Sequence, residues 1–255
     1  MFKQNRNDEP KNQLIYGRHP IVEALKSEQA FDKIFIQRGI QGEQIKQIIH
    51  LAKEQNVPVQ FVPLPKMNRL TRKNHQGVAG FLALITYYKL EDILSNVYAQ
   101  GDIPLFLIAD HITDVRNFGA IARTALATGV HGIVVPAKGA ANINAEALKA
   151  SAGALHQIPI CKVRFLDEAI QFLQSNGLQV VASDLNTDTF FDQTTLDIPS
   201  AIILGAEGKG ISPKYLKVAD VIAKLPMSGN FDSFNVSVAT GMVLYEVMQQ
   251  RKKQV

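Results

Sequence analysis

The sequence predicts an α/β protein in two domains, the larger built on a parallel sheet covered on both faces. Three observations carry that prediction. From residue 104 onward, short and nearly unbroken apolar runs alternate with segments of helical length, the pattern of strands buried on both sides. The first third instead alternates short helices and strands. Between them lies a polar stretch that ends in a Gly-Asp turn and Pro104.

Residues 1–13 are polar throughout and predict a disordered tail. Residues 14–85 predict a small α/β domain. Its helix PIVEALKS (20–27) has Pro20 in the first turn, where a missing N–H costs nothing. KIFIQ (33–37) follows as a strand, then an amphipathic helix over 42–56 and a strand over 57–62. LPKMNRL makes a short helix and GVAGFLAL (77–84) a closing strand. Residues 86–103 predict a linker with one helical stretch. The second domain, 104–255, opens on the strand PLFLIAD and places further strands at 132–136, 158–163, 178–184, 201–205 and 221–226. Helices lie between them at NFGAIARTALATG, AEALKASAGAL, LDEAIQFLQSNG and SPKYLKVA, with a long final helix from Ser233 to Gln250.

At 255 residues, 46% apolar and 20% charged, the composition is that of an ordinary globular protein. No apolar run approaches the roughly 18 residues that span a bilayer, and MFKQNRNDEPKNQ lacks the apolar centre of a secretory signal. Cys161 is the only cysteine, which excludes an internal disulfide and a thiolate metal cluster. None of the six histidines sits in a ligand-spaced pair, so no metal is expected. Cytoplasmic residence is the expectation. The net charge of +4 is unevenly spread. Residues 1–85 hold 13 Lys and Arg against 7 Asp and Glu, whereas residues 86–255 hold 14 against 16. A basic first domain beside a slightly acidic second one suits a polyanionic partner held by the first.

Ligands of parallel α/β sheets gather at the carboxyl ends of the strands, and three such ends here are rich in small and polar residues. In ADHITDVRNFGAIARTALATG (109–129), Asn117 is placed to cap a helix and Gly119 to let another backbone approach. Arg123 stands alone among small residues. It either meets an anion or reaches solvent. In IILGAEGKGI (202–211) the glycine order is not that of the dinucleotide fingerprint, and Lys209 is followed by Gly210 rather than the Ser or Thr of a phosphate loop. Glu207 at its centre would repel a phosphate. The turn is either a tight surface turn or a cradle for a phosphate-free adenosine ligand with cationic character, a description that S-adenosylmethionine meets. In LPMSGNFDSFNVSVATGMVLYEVMQQRKK (225–253), Met227, Gly229 and Asn230 predict a loop. Ser233, Asn235 and Ser237 then alternate into the last helix, as caps or as part of a site.

NFGAIARTALATG, ILGAEGKGIS and LPMSGNFDSFNVSVATG together, in this order, resemble the three motifs of the SpoU (TrmH-like) RNA ribose 2′-O-methyltransferases of the SPOUT superfamily. LIYGRHPIVEALKS and NHQGVAGFLAL resemble the substrate-binding domain of the RlmB-like branch, which is similar to the ribosomal-protein L30e fold. The resemblance implies a SPOUT methyltransferase domain with a C-terminal trefoil knot after an L30e-like domain. It implies S-adenosyl-L-methionine as cofactor, with Gly205, Leu225, Phe234 and Ser183 as its contacts. Phe234 departs from the usual Leu of the third motif, which bears on the shape of the pocket. Carried over by position, Asn117, Arg123, Glu207, Ser233 and Asn235 are the functional polar residues, with Glu207 holding Arg123 or Asn235. Arg18, His19, Arg72, Lys73 and His75 are the expected RNA contacts. The implied reaction is methylation of a ribose 2′-hydroxyl, in a guanosine of 23S ribosomal RNA or alternatively in tRNA, by a homodimer whose motif-1 and final helices lie near the interface. A non-catalytic RNA-binding assembly factor is disfavoured by the intact polar set, and a nicotinamide enzyme by the missing fingerprint.

Overall fold

The computed structural model describes residues 13–141, 143–228 and 233–252; all but Gln13 of the expected tail lies outside them. The chain divides into two compact units. The first takes residues up to Thr86 together with Ile143–Glu146, and the second takes the remainder from Tyr87 onward.

The first unit contains β1 (Leu14–Tyr16), α1 (Arg18–Lys26), β2 (Phe31–Gln37), α2 (Glu43–Glu54), β3 (Val59–Val62), α3 (Leu64–Leu70) and β4 (Val78–Leu82). Its sheet runs β1-β4-β2-β3, with β4 antiparallel to both neighbours and β3 parallel to β2. Alternation along β2 sends Ile34 and Ile36 to one face, where they pack with Ile21 and Leu25 of α1 and with Ile45 and Ile48 of α2. Phe35 points the other way, onto Val62, Ala79 and Met67 of α3. β1 is an element that the sequence pattern did not predict. Its three residues are only half-buried, and so short a run gives almost no periodic signal.

The second unit contains β5 (Tyr87–Tyr88), α4 (Leu90–Ala99), β6 (Leu105–Ala109), α5 (Val115–Ala127), β7 (Gly132–Pro136), α6 (Ala145–Ala150) from Ala147 onward, β8 (Ile160–Val163), α7 (Leu166–Ser175), β9 (Gln179–Ser183), β10 (Ser200–Leu204), α8 (Pro213–Leu216), β11 (Val221–Ala223) and α9 (Val236–Lys252). Its seven strands are ordered β11-β9-β10-β6-β7-β8-β5, and every described pairing is parallel. Phe106, Ile108, Val180 and Ile203 pack with Leu94 of α4 and Ile170 of α7. The alternate residues Leu105, Leu107, Val181 and Ile202 are just as buried, so the other face is covered too. The expected doubly covered parallel sheet is what the chain forms.

Four boundaries differ from expectation. Residues 87–99, expected as linker, supply the edge strand β5 and helix α4, because Leu90, Leu94 and Val97 recur at helical spacing and are buried. AEALKASAGAL is α-helical only to Ala150; Ala152 and Gly153 adopt left-handed backbone and end it, and a 3-10 turn over Ala154–His156 follows. α5 starts at Val115, capped by Asp114, whose carboxylate accepts from the N–H groups of Arg116 and Asn117. Asn117 is therefore inside the first turn rather than the cap. α9 starts at Val236 and not at Ser233, because Asn235 caps it.

A candidate active site at the carboxyl ends of β6, β9, β10 and β11

β6, β10, β9 and β11 lie side by side and parallel, so their carboxyl ends form one edge. β10 runs from there into the glycine turn. Ala206 and Gly210 bridge across it, with the Gly210 N–H donating to the Ala206 carbonyl at 2.8 Å. Gly208 and Gly210 have φ of 76° and 65°, a region that L side chains rarely enter. A Cβ on Gly205 would overlap the Gly210 backbone. The turn thus closes on itself and presents its central residue, Glu207, outward.

Glu207 is where three distant segments meet. Its Oε1 accepts from Asn117 Nδ2 at 3.1 Å, from Asn235 Nδ2, and from the backbone N–H of Val236 at 3.3 Å. Asn235 Nδ2 also donates to Asn117 Oδ1 at 3.1 Å. Asn235 Oδ1 meanwhile accepts from the N–H and hydroxyl of Ser237. One side chain thus caps α9 and ties it to both α5 and the turn. The expectation that Glu207 holds Asn235 is met.

Arg123 is not brought to this cluster. It is exposed, and no hydrogen bond or ion pair joins it to the described residues. Six residues beyond Asn117, it lies about 9 Å further along the axis of α5 and about 120° around it. The anionic partner that a lone cation would need if buried is unnecessary in solvent. Gly119 does what its position suggested. A Cβ there would stand 2.6 Å from the Ala147 carbonyl and 2.7 Å from Ala150 Cβ.

Beside the turn is a cavity of about 330 Å³. Gly205, Leu225, Phe234 and Ser183, the four expected cofactor contacts, all line it, as do Glu207 and Ser233. Leu204 and Met227 add apolar wall. Gly229 and Asn230, expected in the same loop, lie outside the described residues. Asp110 did not stand out in the sequence. It is 2% exposed, and its Oδ2 accepts from the Ser212 N–H at 2.7 Å, fastening the exit of the turn to the end of β6. A carboxylate directly after five buried apolar residues was the signal available. Among the described residues no cluster of three or more His, Cys, Asp or Glu is placed to hold a metal, and no helix is long and apolar enough to cross a membrane.

In the first unit the expected RNA residues sit at the start of α1 and on the loop between α3 and β4. Arg18 opens α1, where its backbone N–H and Nε donate to Gln76. His19, Arg72 and Lys73 are exposed, with Lys73 Nζ 5.8 Å from the centre of the Tyr16 ring. His75 has both ring nitrogens engaged: Nδ1 accepts from the Gly77 N–H at 2.9 Å and Nε2 lies 3.0 Å from Asn68 Oδ1. That bonding makes His75 a clamp of its own loop. Arg38, not singled out in the sequence, donates from Nε to the Phe61 carbonyl.

Comparison with known proteins agrees with this geometry. The model of the SpoU rRNA Methylase family matches residues 104–245, and that of the RNA 2′-O ribose methyltransferase substrate-binding domain matches residues 14–88. The chain is 35% identical over 237 residues to a Bacillus subtilis protein described as a TrmH family tRNA/rRNA methyltransferase, YacO, covering 93% of this chain and 95% of that one. Among solved structures it superposes on the SpoU methyltransferase AviRb of Streptomyces viridochromogenes in complex with AdoMet, with a TM-score of 0.60 at 22% identity and coverage of 98% and 95%. It also superposes on an AdoMet-bound rRNA methyltransferase of Sinorhizobium meliloti, with a TM-score of 0.59 at 24% identity and coverage of 95% and 88%. By the extent of these matches, the chain belongs to the SpoU (TrmH-like) family of RNA methyltransferases and has the SPOUT α/β fold.

Proposed function

We propose that the protein methylates a ribose 2′-hydroxyl of RNA, using S-adenosyl-L-methionine, with a guanosine of 23S ribosomal RNA as the target. The observation that carries the reading is one carboxylate, Glu207, joining the glycine turn, α5 and the start of α9 at the wall of the cavity. The cavity fits the cofactor in size and chemistry. It is within the usual range for small-molecule sites, it has apolar walls at Leu204, Leu225 and Phe234 for an adenine, and its glycine backbone has no phosphate-binding lysine-serine pair. The cofactor supplies a methyl group on a cationic sulfur. Gly205, Leu225, Phe234 and Ser183 would hold it.

The remaining work falls to polar residues. A ribose hydroxyl is a weak nucleophile and must lose its proton as it attacks. Asn117 and Asn235, fixed by Glu207, orient the hydroxyl, with Ser233 at the cavity wall. Arg123 binds the adjacent phosphate. A guanidinium keeps its proton in proteins and makes a poor base, so the phosphate or a water accepts the proton. The gain is positioning plus charge stabilisation. The basic end of the first unit, with Arg18, His19, Arg72 and Lys73, gathers the RNA. His75 shapes that end.

The protein acts as a homodimer in the cytoplasm in this reading. Val238, Met242 and Tyr245 are 48%, 42% and 61% exposed at helical spacing along α9, which packs on α5. A second copy would cover this apolar stripe and lie close to the exposed Arg123. The segment that leaves β10, crosses to β11 and returns against α5 is the one we assign to the trefoil knot, and the four-stranded unit the one we assign to the L30e-like domain. Mapping ribose methylations in rRNA and tRNA from a deletion strain tests the substrate. A missing 23S guanosine methylation is expected, and a missing tRNA methylation would move the enzyme to the other substrate class.

A further inference from the structure

Two charges at the cavity take no part in the arrangement around Glu207. β9 and β11 pair in parallel with Ser183 opposite Ala223, so Asp184 and Lys224 come next in that register. The Asp184 N–H donates to the Ala223 carbonyl at 3.1 Å, which extends the ladder to this point. Both side chains line the cavity. They are not bonded to each other. Asp184 Oδ1 accepts from the backbone N–H and Nδ2 of Asn186, both at 2.9 Å. Lys224 Nζ stands 5.1 Å from the centre of the Phe190 ring and 3.8 Å from Asp188, a fully solvated carboxylate. Asp184 Oδ2 accepts no hydrogen bond from the described residues. It faces the glycine turn, 3.8 Å from where a Cβ of Gly210 would stand.

An anion and a cation fixed side by side and kept from neutralising each other are complementary to a zwitterion. A half-buried carboxylate with one oxygen unbonded gains most from a cationic donor, because charge-assisted hydrogen bonds are the strong ones. The neighbouring ammonium is paired only with Asp188, and an ion pair to a fully solvated carboxylate is worth little, so a carboxylate inside the cavity would hold it more strongly. A ribose diol would satisfy Asp184 but brings no carboxylate to Lys224 beyond the solvated Asp188, whereas an α-amino acid serves both charges. We propose that Asp184 and Lys224 form the subsite for the amino-acid end of the cofactor, Asp184 Oδ2 accepting from its ammonium and Lys224 Nζ donating to its carboxylate. The inference rests on the reading of this cavity as an S-adenosylmethionine site.

Calorimetric titration of the full-length protein tests it with two ligands, S-adenosylhomocysteine and 5′-methylthioadenosine, which share the adenosine while only the first has the amino-acid end. In Asp184→Asn and in Lys224→Met, affinity for S-adenosylhomocysteine should fall about tenfold or more, while that for methylthioadenosine stays within about twofold. The nucleoside doubles as the control for an intact pocket. Equal losses for both ligands would place Asp184 on the ribose, or show that the wall had collapsed, and would overturn the proposal, as would no loss for either. A wild-type protein that bound neither ligand would sink the cofactor reading itself. Wild-type binding with unaltered variants would sink only the subsite.

Discussion

The strand ends of the seven-stranded sheet and the loop end of the four-stranded sheet are both crowded with polar residues, yet they hold them in opposite ways. Around Glu207 the polar groups bind one another. Asn117, Glu207 and Asn235 come from positions 90 and 28 residues apart, and each is hydrogen-bonded to the other two. At the loop end, His19, Arg72 and Lys73 project into solvent. Only Arg18 and His75 are tied down, Arg18 to Gln76 and His75 to Asn68 and Gly77. Chemistry at a single hydroxyl needs geometry fixed before the substrate arrives. Gathering a polyanion needs charge at long reach, which flexible cations supply without fixed geometry.

That contrast makes substitutions at the two places fail differently. The largest effect is expected at the fixed site. Glu207→Ala removes the acceptor shared by three N–H groups and should slow single-turnover methyl transfer by about 100- to 1000-fold, with RNA affinity and its salt dependence unchanged. Loss of RNA binding instead would merge the two regions into one. Arg123→Ala should slow transfer over a similar range, roughly 3–4 kcal/mol, without loosening the cofactor. Arg123→Lys should recover little, since an ammonium lacks the planar fork. Near-normal turnover in Arg123→Ala would remove the residue from the mechanism.

Gly205→Ala forces a methyl group into the Gly210 backbone. It should cost about 1–3 kcal/mol of stability in denaturant titration, together with most of the cofactor affinity. At the other region, the double substitution of Arg72 and Lys73 by Ala should weaken RNA binding several-fold. It should also flatten the slope of log affinity against log salt by about 0.7 for each phosphate of a single strand that is no longer neutralised. An unchanged slope would show that the charge excess of residues 1–85 is not what holds RNA.

The smallest effect concerns neither region and calibrates both. Burial holds the pKa of His131 below its ordinary value, and its Nδ1 accepts from the Leu105 N–H at the start of β6. The folded state therefore favours the neutral ring. Stability from this group is full above about pH 6.5 and declines as pH falls from there toward the lowered folded-state value. Melting temperature should drop modestly between pH 7.5 and 5.5, and His131→Asn should shallow that drop. An identical pH profile in the variant would assign the acid sensitivity elsewhere.

Most of the scaffold could be read from the chain because it rests on local rules. Apolar runs such as LFLIA and AIIL form strands buried on both faces wherever they fall, and Gly119, Gly208 and Gly210 sit where only glycine fits. The charge difference between the two units is a property of composition alone. The resemblance to a family also placed Gly205, Leu225, Phe234 and Ser183 around one ligand, and the cavity gathers those four. Tertiary structure decided what depends on partners far along the chain. Asp114, rather than Asn117, capped α5 and freed Asn117 to reach Glu207. Asp110 became the anchor of a loop 102 residues away. The supposed linker joined the sheet because an exposed edge strand and an apolar helix face were there to be filled. Arg123 was left in solvent because α5 turned it away from the cluster. A side chain's hydrogen bond depends on direction and on a distance of about 3 Å, and a sequence specifies neither until the whole chain has packed.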